Sequence, residues 1–436
     1  MPSEAQPKAA IRWQGALLIL LAIRLIFHAL FVPAYEGPDE PAHLSRIVDY
    51  ADQPVAEAFR GLPVNGAVLG AVAARPCTAA LRSLGCPPFG TAPASFNLLR
   101  PTAPPSPRAP AENLENNQPP LFYMLVGLTL RLPRAAGVLL SPDSRLLAIR
   151  LLGAFSILLA VCWPLRRLAE PWESGLVLAG ILLLLLPGAA ESLVRCSNDQ
   201  GVFLWAAFAL FALERRAPTT VLMILMAAGP LLKLTALPVV AFVLSALWLE
   251  RRRLAACLGL LSAALVFPVQ LWRGWWWGGT YELNRPGPPV AEPFLQMILG
   301  LVRSVYTFLK TTFWLGEWTF FRAPTLLVLS FFALCGACLF VARLRPTPRR
   351  VAAHLVAAAC ASLGLLIFVL ANHRFFGVWG GVGGWYAWAW FPWLMTAASD
   401  LATLESRTGR RFILVLALFV AVANVCFYWT AFRLYD

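Results

Sequence analysis

Apolar runs of about membrane thickness, several of them closed by paired or clustered arginines, recur along this chain and leave it few folds. A helix that crosses a bilayer needs about 20 mostly apolar residues. Runs approaching or reaching that length fall at 13–34, 145–165, 175–190, 198–213, 220–235, 237–249, 255–272, 324–341, 351–371, 385–402 and 412–429. Between them stand Arg166-Arg167, Arg215-Arg216, Arg251-Arg252-Arg253, the group Arg343, Arg345, Arg349 and Arg350, and the group Arg407, Arg410 and Arg411. Lys and Arg collect in cytoplasmic loops. Placing every dense arginine cluster there sets about eleven spans, a cytoplasmic N-terminus and an external C-terminus. The expected fold is an all-α polytopic membrane protein, one domain over 1–436, with external loops at 36–144 and 273–322.

Composition agrees. Charged residues make up 13% of the chain, hydrophobic residues 59% and mean hydropathy is +0.67, whereas soluble domains carry about 25% charged residues. The net charge of +14 is spread among apolar runs and forms no single basic face, so no nucleic acid partner is expected. Lys8 and Arg12 precede the first run, Arg24 and His28 interrupt it, and no clear small-residue cleavage site follows. An uncleaved anchor is expected. Most of the nine cysteines lie in apolar runs; Cys77 and Cys86 share one polar loop, and a disulfide between them is expected if that loop is external.

The first loop carries the densest chemistry. Glu36, Asp39, Glu40 and His43 fall within eight residues, directly after the first run. Pro41 and the apolar Leu44, Ile47, Val48 and Ala51 predict a short helix lying on the membrane. A cap on that helix explains one carboxylate; three together suit a general base with supporting acceptors. The segment 121–132 is read as juxtamembrane or re-entrant, because Arg131, Pro133 and Arg134 interrupt it or follow it closely. In the second loop, 294–315 reads as amphipathic and interfacial, with Arg303 and Lys310.

Two further groups stand out. Ser197, Asn198, Asp199 and Gln200 precede Lys233 and Thr235 across a tight pair of spans, forming either a cavity or a structural Lys233–Asp199 pair. Arg131, Arg134, Arg145, Arg273, Arg285, Arg303, Lys310, Arg322 and Arg374 are the external basic residues, and guanidinium forks suit a lipid phosphate. Trp275 to Trp277 and Trp385 to Trp393 read most simply as an aromatic belt. No Walker loop, GxGxxG or HExxH is present.

Pro38-Asp39-Glu40-Pro41-Ala42-His43, Gln118-Pro119-Pro120-Leu121-Phe122-Tyr123, Ser197-Asn198-Asp199 and the segment Gly384-Trp385-Tyr386 up to Pro392 together resemble the GT-C superfamily of integral membrane glycosyltransferases. The closest likeness is to an uncharacterised bacterial membrane family with a Pro-Asp-Glu-Pro-x-His signature. In that family's late Gly-Arg-Tyr region, Trp385 here replaces the arginine. The resemblance implies an inverting transfer of a sugar from a polyprenyl-phosphate donor to a hydroxyl on a glycan, lipid or protein, outside the bacterial inner membrane. It implies Asp39 as base, with Glu40 and His43 in support. Lys233, Arg131, Arg273 and Arg374 would serve the donor phosphate, and Gln118, Asn198, Asp199 and Tyr386 would line the cavity. Some relatives in that superfamily need a divalent metal and others do not; no clear added ligand set is present here. A lipid-linked glycan transporter and a non-catalytic assembly subunit are the rival readings.

Overall fold

The computed structural model describes residues 5–32, 34–35, 40–73, 113–167, 174–276, 294–313, 324–344, 348–376, 379, 383–403 and 407–435. Its helices are α1 (Ala5–Phe31), α2 (Glu40–Asp52), α3 (Val55–Arg60), α4 (Gly66–Ala73), α5 (Leu121–Ala135), α6 (Pro142–Arg167), α7 (Ser174–Leu184), α8 (Pro187–Val194), α9 (Asp199–Glu214) and α10 (Thr219–Leu232). They continue as α11 (Leu237–Leu249), α12 (Arg253–Ala264), α13 (Val266–Trp276), α14 (Phe294–Phe313), α15 (Thr325–Val341), α16 (Pro348–Phe376), α17 (Trp385–Ala389), α18 (Phe391–Leu401) and α19 (Arg407–Tyr435). One antiparallel two-residue pairing, Arg343–Leu344 with Ala402–Thr403, clips the start of α16 to the end of α18. The residues that would carry a Cys77–Cys86 disulfide lie outside the described residues, as do Glu36, Asp39, Arg285 and Arg322.

Among the described residues, four stretches are long and apolar enough to cross a membrane: Pro142–Val161, Arg253–Trp272, Arg349–Ala371 and Arg407–Thr430. Shorter apolar helices run over Gly15–Phe31, Thr219–Leu232, Leu234–Leu249 and Thr325–Cys338. Their outward faces carry large apolar side chains, such as Ile19, Ile23, Phe155, Leu261, Leu363, Leu414 and Leu418. In water that face would be costly, and against lipid tails it is not. An all-helical membrane protein fits these observations.

The expected runs 175–190, 220–235 and 385–402 are not continuous helices. Pro187 lacks an N–H and disfavours helical backbone at the residue before it, so Leu186 is extended and the run divides into α7 and α8. Pro230 lies near the end of α10, and Lys233 just beyond it is fully extended before a single turn, Leu234–Ala236, leads into α11. Trp390 ends α17, one residue before α18 begins with Phe391 and Pro392. Free backbone groups inside a membrane protein must find partners. Here the Trp390 indole donates to the Thr235 carbonyl at 2.5 Å, and Gln200 Nε2 donates to the Val194 carbonyl at 3.3 Å and to that of Arg195.

The basic turns lie together at one end. Arg350 approaches Glu250 at 3.2 Å and Asp400 at 3.9 Å, and Arg252 donates to the Ala217 carbonyl at 2.8 Å. The turns after α9 and α11 close in the same way, with Ala217 N–H on the Ala212 carbonyl and Arg252 N–H on that of Leu247. Arg216 and Arg251 take the left-handed φ (51° and 64°) that such an ending requires. At the opposite end α2 lies against α3, α4 and α5. The α2–α5 crossing is close because Gly127 has no side chain, and a Cβ there would sit 2.4 Å from Tyr50 Cβ. Two apolar clusters fill the interior; Leu193 and Val194 belong to one and Cys196 to the other, so the link from α8 to α9 lies where they meet.

Candidate functional site

Glu40 opens α2 and is fully buried. Its Oε1 accepts from Arg150 Nε at 2.8 Å and from the Cys196 N–H at 3.0 Å. Its Oε2 accepts from Arg150 Nη2 at 2.5 Å and from the Tyr35 N–H at 3.1 Å. A carboxylate has about four lone-pair positions, and all are taken. Burial pushes this carboxyl up, but the Arg150 charge and hydrogen bonds and the Cys196 N–H outweigh it, so Glu40 is held ionised below the ordinary carboxylate range. Glu40 is therefore an anchor with no capacity left to accept a substrate proton. Arg150 also donates from Nη1 to the Val32 carbonyl at 2.5 Å, closing the last turn of α1. Tyr35 sits in the turn between α1 and α2 with φ of 70°, a costly conformation for a tyrosine, tied down by its hydroxyl on Asp143 at 2.7 Å.

His43 stands one turn along. Its Nδ1 lies 2.9 Å from the Tyr123 hydroxyl, which donates to Glu115 at 2.7 Å. Burial, with the nearby positive charges of Lys233 and Arg195, holds the imidazole well below its usual pKa, so it is neutral. Its 3.3 Å approach to Glu115 is then a contact of a neutral ring rather than an ion pair. Because the single Tyr123 proton goes to Glu115, the hydroxyl oxygen accepts from Nδ1–H, and Nε2 keeps its lone pair. The network assigns His43 as a neutral hydrogen-bond acceptor.

The second group joins the first. Lys233, in its extended link, donates to Asp199 at 2.7 Å, and Arg195 reaches the other oxygen of Asp199 at 3.4 Å. The Tyr386 ring lies 5.2 Å from Lys233 Nζ, and the Trp385 ring 5.7 Å from the Arg195 guanidinium. Around this triad four buried polar atoms have no partner: Ser197 Oγ, both amide atoms of Asn198, and Thr235 Oγ1. Asn198 stands before α9 yet does not cap it. Buried polar groups are satisfied in the great majority of cases, so this concentration is a candidate cradle, with groups able to hydrogen-bond hydroxyls and oxyanions.

Several expected residues stand elsewhere. Arg131 donates from Nε and Nη2 to the Tyr50 carbonyl at 3.0 and 2.8 Å, closing the far end of α2, about 15 Å of helix rise from Glu40. Arg134 and Arg145 bind Asp52 at 3.2 and 2.6 Å in the same place. These three arginines answer the negative end of the α2 dipole rather than converging on the cradle, a correction for Arg131 as a donor-phosphate ligand. Arg374 is exposed near the end of α16. Arg273 lies in α13, with its side chain outside the described residues, and Asp39 lies outside them altogether. Gln118 is half-buried just before α5. The Trp385 to Trp393 segment is not a belt. Trp388, Trp390 and Trp393 are buried, and the Trp388 indole donates inward to the Thr312 carbonyl at 2.7 Å.

Residues that sequence reasoning passed over include Arg150, Glu115 and Arg195. A lone arginine inside an apolar run was the available signal for Arg150, because ionisable groups at membrane depth require a partner. Among the described residues, no group of three His, Cys, Asp or Glu side chains is placed to hold a metal ion. No family model matches the chain, and neither a curated protein nor a solved structure matches it.

Proposed function

We propose that the chain is an inverting glycosyltransferase of GT-C architecture with about eleven spans, working at the external face of a bacterial inner membrane on a polyprenyl-phosphate-linked sugar. The observation that carries this reading is the meeting of Glu40 and His43 with the unpartnered polar groups around Lys233 and Asp199. Hydroxyl and amide groups suit sugar hydroxyls, Trp385 and Tyr386 offer aromatic faces, and Lys233 with Arg195 supplies positive charge for a phosphate. In the proposed step the acceptor hydroxyl gives its proton to the Asp39 carboxylate. The freed oxygen attacks the anomeric carbon as the bond from that carbon to the phosphate oxygen breaks. The electron pair leaves with the lipid phosphate, and Lys233 and Arg195 stabilise the developing charge. Glu40, saturated by Arg150, fixes the start of α2.

Purified protein supplied with radiolabelled polyprenyl-phosphate sugars is expected to transfer label. Asp39→Asn is expected to fold normally and to lose at least about 100-fold in turnover, the scale of a general base. Full transfer by Asp39→Asn would remove the base assignment.

A second reading has one observation in its favour. His28 pairs with Glu191 at 2.7 Å, and Arg24 of the same helix donates to Asn424 at 2.8 Å, so buried polar groups continue from the site along α1 and α19. Polar groups at successive depths suit a path for a lipid-linked glycan. Flipping of labelled lipid in proteoliposomes without any transfer would favour the transporter.

A further inference from the structure

Arg46 lies on α2 one turn beyond His43 and is fully buried, yet it uses only part of its guanidinium. Nη1 donates to the Ala58 carbonyl of α3 at 2.7 Å. Nε and Nη2 have no partner. Those two nitrogens form the side-on edge of the guanidinium plane, the edge that grips two neighbouring oxygens at once. The same edge of Arg150 holds both oxygens of Glu40, at 2.8 and 2.5 Å. The rings of Tyr50 and Tyr123 lie 5.3 and 5.9 Å from the Arg46 guanidinium carbon. They offset part of its charge and bring no acceptor oxygen to the edge.

Asp49, three residues on, is also buried, and its Oδ2 has no partner. A cation edge and a carboxylate oxygen thus stand close on one helix without satisfying each other. The surroundings are held firmly. Ser45 Oγ accepts from the Asn65 N–H at 2.8 Å, Asn113 Nδ2 donates to the Ala42 carbonyl at 3.1 Å, and Asn116 Nδ2 donates to the Leu62 carbonyl at 2.9 Å. A buried donor edge left without acceptors is costly, and keeping one in surroundings this well pinned points to a ligand that completes it.

We infer that Arg46 grips a carboxylate or phosphate group of the acceptor through its Nε and Nη2 edge, in a pocket that Asp49 borders. Arg46 lies about 5 Å of helix rise beyond His43, the scale of one sugar ring. An acidic or phosphorylated sugar held there would present a hydroxyl toward the start of α2. Naming the ligand an acceptor rests on the glycosyltransferase reading; the oxyanion pocket does not.

The full-length protein in detergent is titrated calorimetrically with glucuronate, glucose 6-phosphate and glucose at one ionic strength. One of the two anions is expected to bind at least about tenfold more tightly than glucose, and which one does so tells carboxylate from phosphate. Arg46→Lys keeps the charge without the fork and is expected to lose about tenfold of that affinity. Measured above pH 7, where Asp49 is ionised, Asp49→Asn removes the competing carboxylate and is expected to tighten anion binding about threefold, which keeps the test open if Arg46→Lys does not fold. Equal binding of glucose, no binding of either anion, an unchanged Arg46→Lys, or weaker binding by Asp49→Asn would each overturn the pocket. Anion binding without any sugar transfer would sink only the glycosyltransferase reading. Transfer without anion binding would sink only the pocket.

Discussion

At Glu40 and Arg150 two charges are buried together, and each depends on the other. Replacing one partner leaves the second uncompensated, at a cost of about 3–5 kcal/mol. Glu40→Gln is therefore expected to lower the unfolding temperature clearly, whereas Asp39→Asn is expected to leave it unchanged while turnover falls. Equal thermal stability of the two variants would contradict the anchoring role. Asp49 carries a second prediction. Burial raises its carboxyl to about 7, with nearby Asp52 adding to the rise and Arg46 opposing it. The folded chain then holds a proton that the unfolded chain has released, so this residue makes stability fall as pH rises from the ordinary carboxylate range to about 7. The gain in melting temperature of Asp49→Asn over the parent is expected to grow across that window and to level off above it. A gain that shrinks with rising pH would contradict the assignment. The crowding of carboxylates was plain in the sequence, but the work of Glu40 was not. Its partner stands 110 positions away, and nothing local marks which of the three acids is saturated.

Interrupted helices build the site from elements. Leu186, the link 195–198, Lys233 and Trp390 are all points where a helix stops, and side chains from other elements take up the freed backbone groups. Pro187, Pro230 and Pro392 announce these stops in the sequence. Hydropathy alone joins across them, which is why 175–190, 220–235 and 385–402 read as plain spans. The tryptophans of α17 and α18 were misread for a related reason, since composition cannot tell an indole at a lipid interface from one bonded inward. The α2–α5 crossing gives the test at this scale. A Cβ on Gly127 would meet the Ile47 carbonyl at 2.8 Å as well as Tyr50. Gly127→Ala is expected to push α5 from α2, costing about 1–3 kcal/mol and separating Tyr123 from His43. Thermal unfolding together with turnover checks it, and a variant unchanged in both would show that the crossing has room.

Seen whole, the molecule is polarised. Basic turns gather at one end, and α2 with its polar partners lies at the other. Alternation of spans against arginine clusters made this polarity readable in the sequence. The number of complete crossings was less readable, because several apolar helices of this chain end short or break. In a chain whose native cysteines are replaced, Arg216→Cys is expected to react with an impermeant maleimide only after the membrane is opened. Glu57→Cys, on the exposed side of α3, is expected to react in intact cells. The reverse pattern would place the acidic motif in the cytoplasm and end the proposed chemistry with a lipid-borne donor outside.

The clamp on Glu40 also bears on how the chain is made. Apart from the Tyr35 N–H, its donors come from Arg150 and from Cys196, 156 positions after Glu40, so synthesis delivers them long after α2 has emerged. Until α6 arrives, the carboxylate has no counter-ion, and α6 in turn brings a lone guanidinium that enters lipid more readily when the acid is waiting for it. Insertion of that helix is thereby tied to correct placement of the first. A nascent chain with α1 inverted would strand the two charges of this pair on opposite sides of the bilayer.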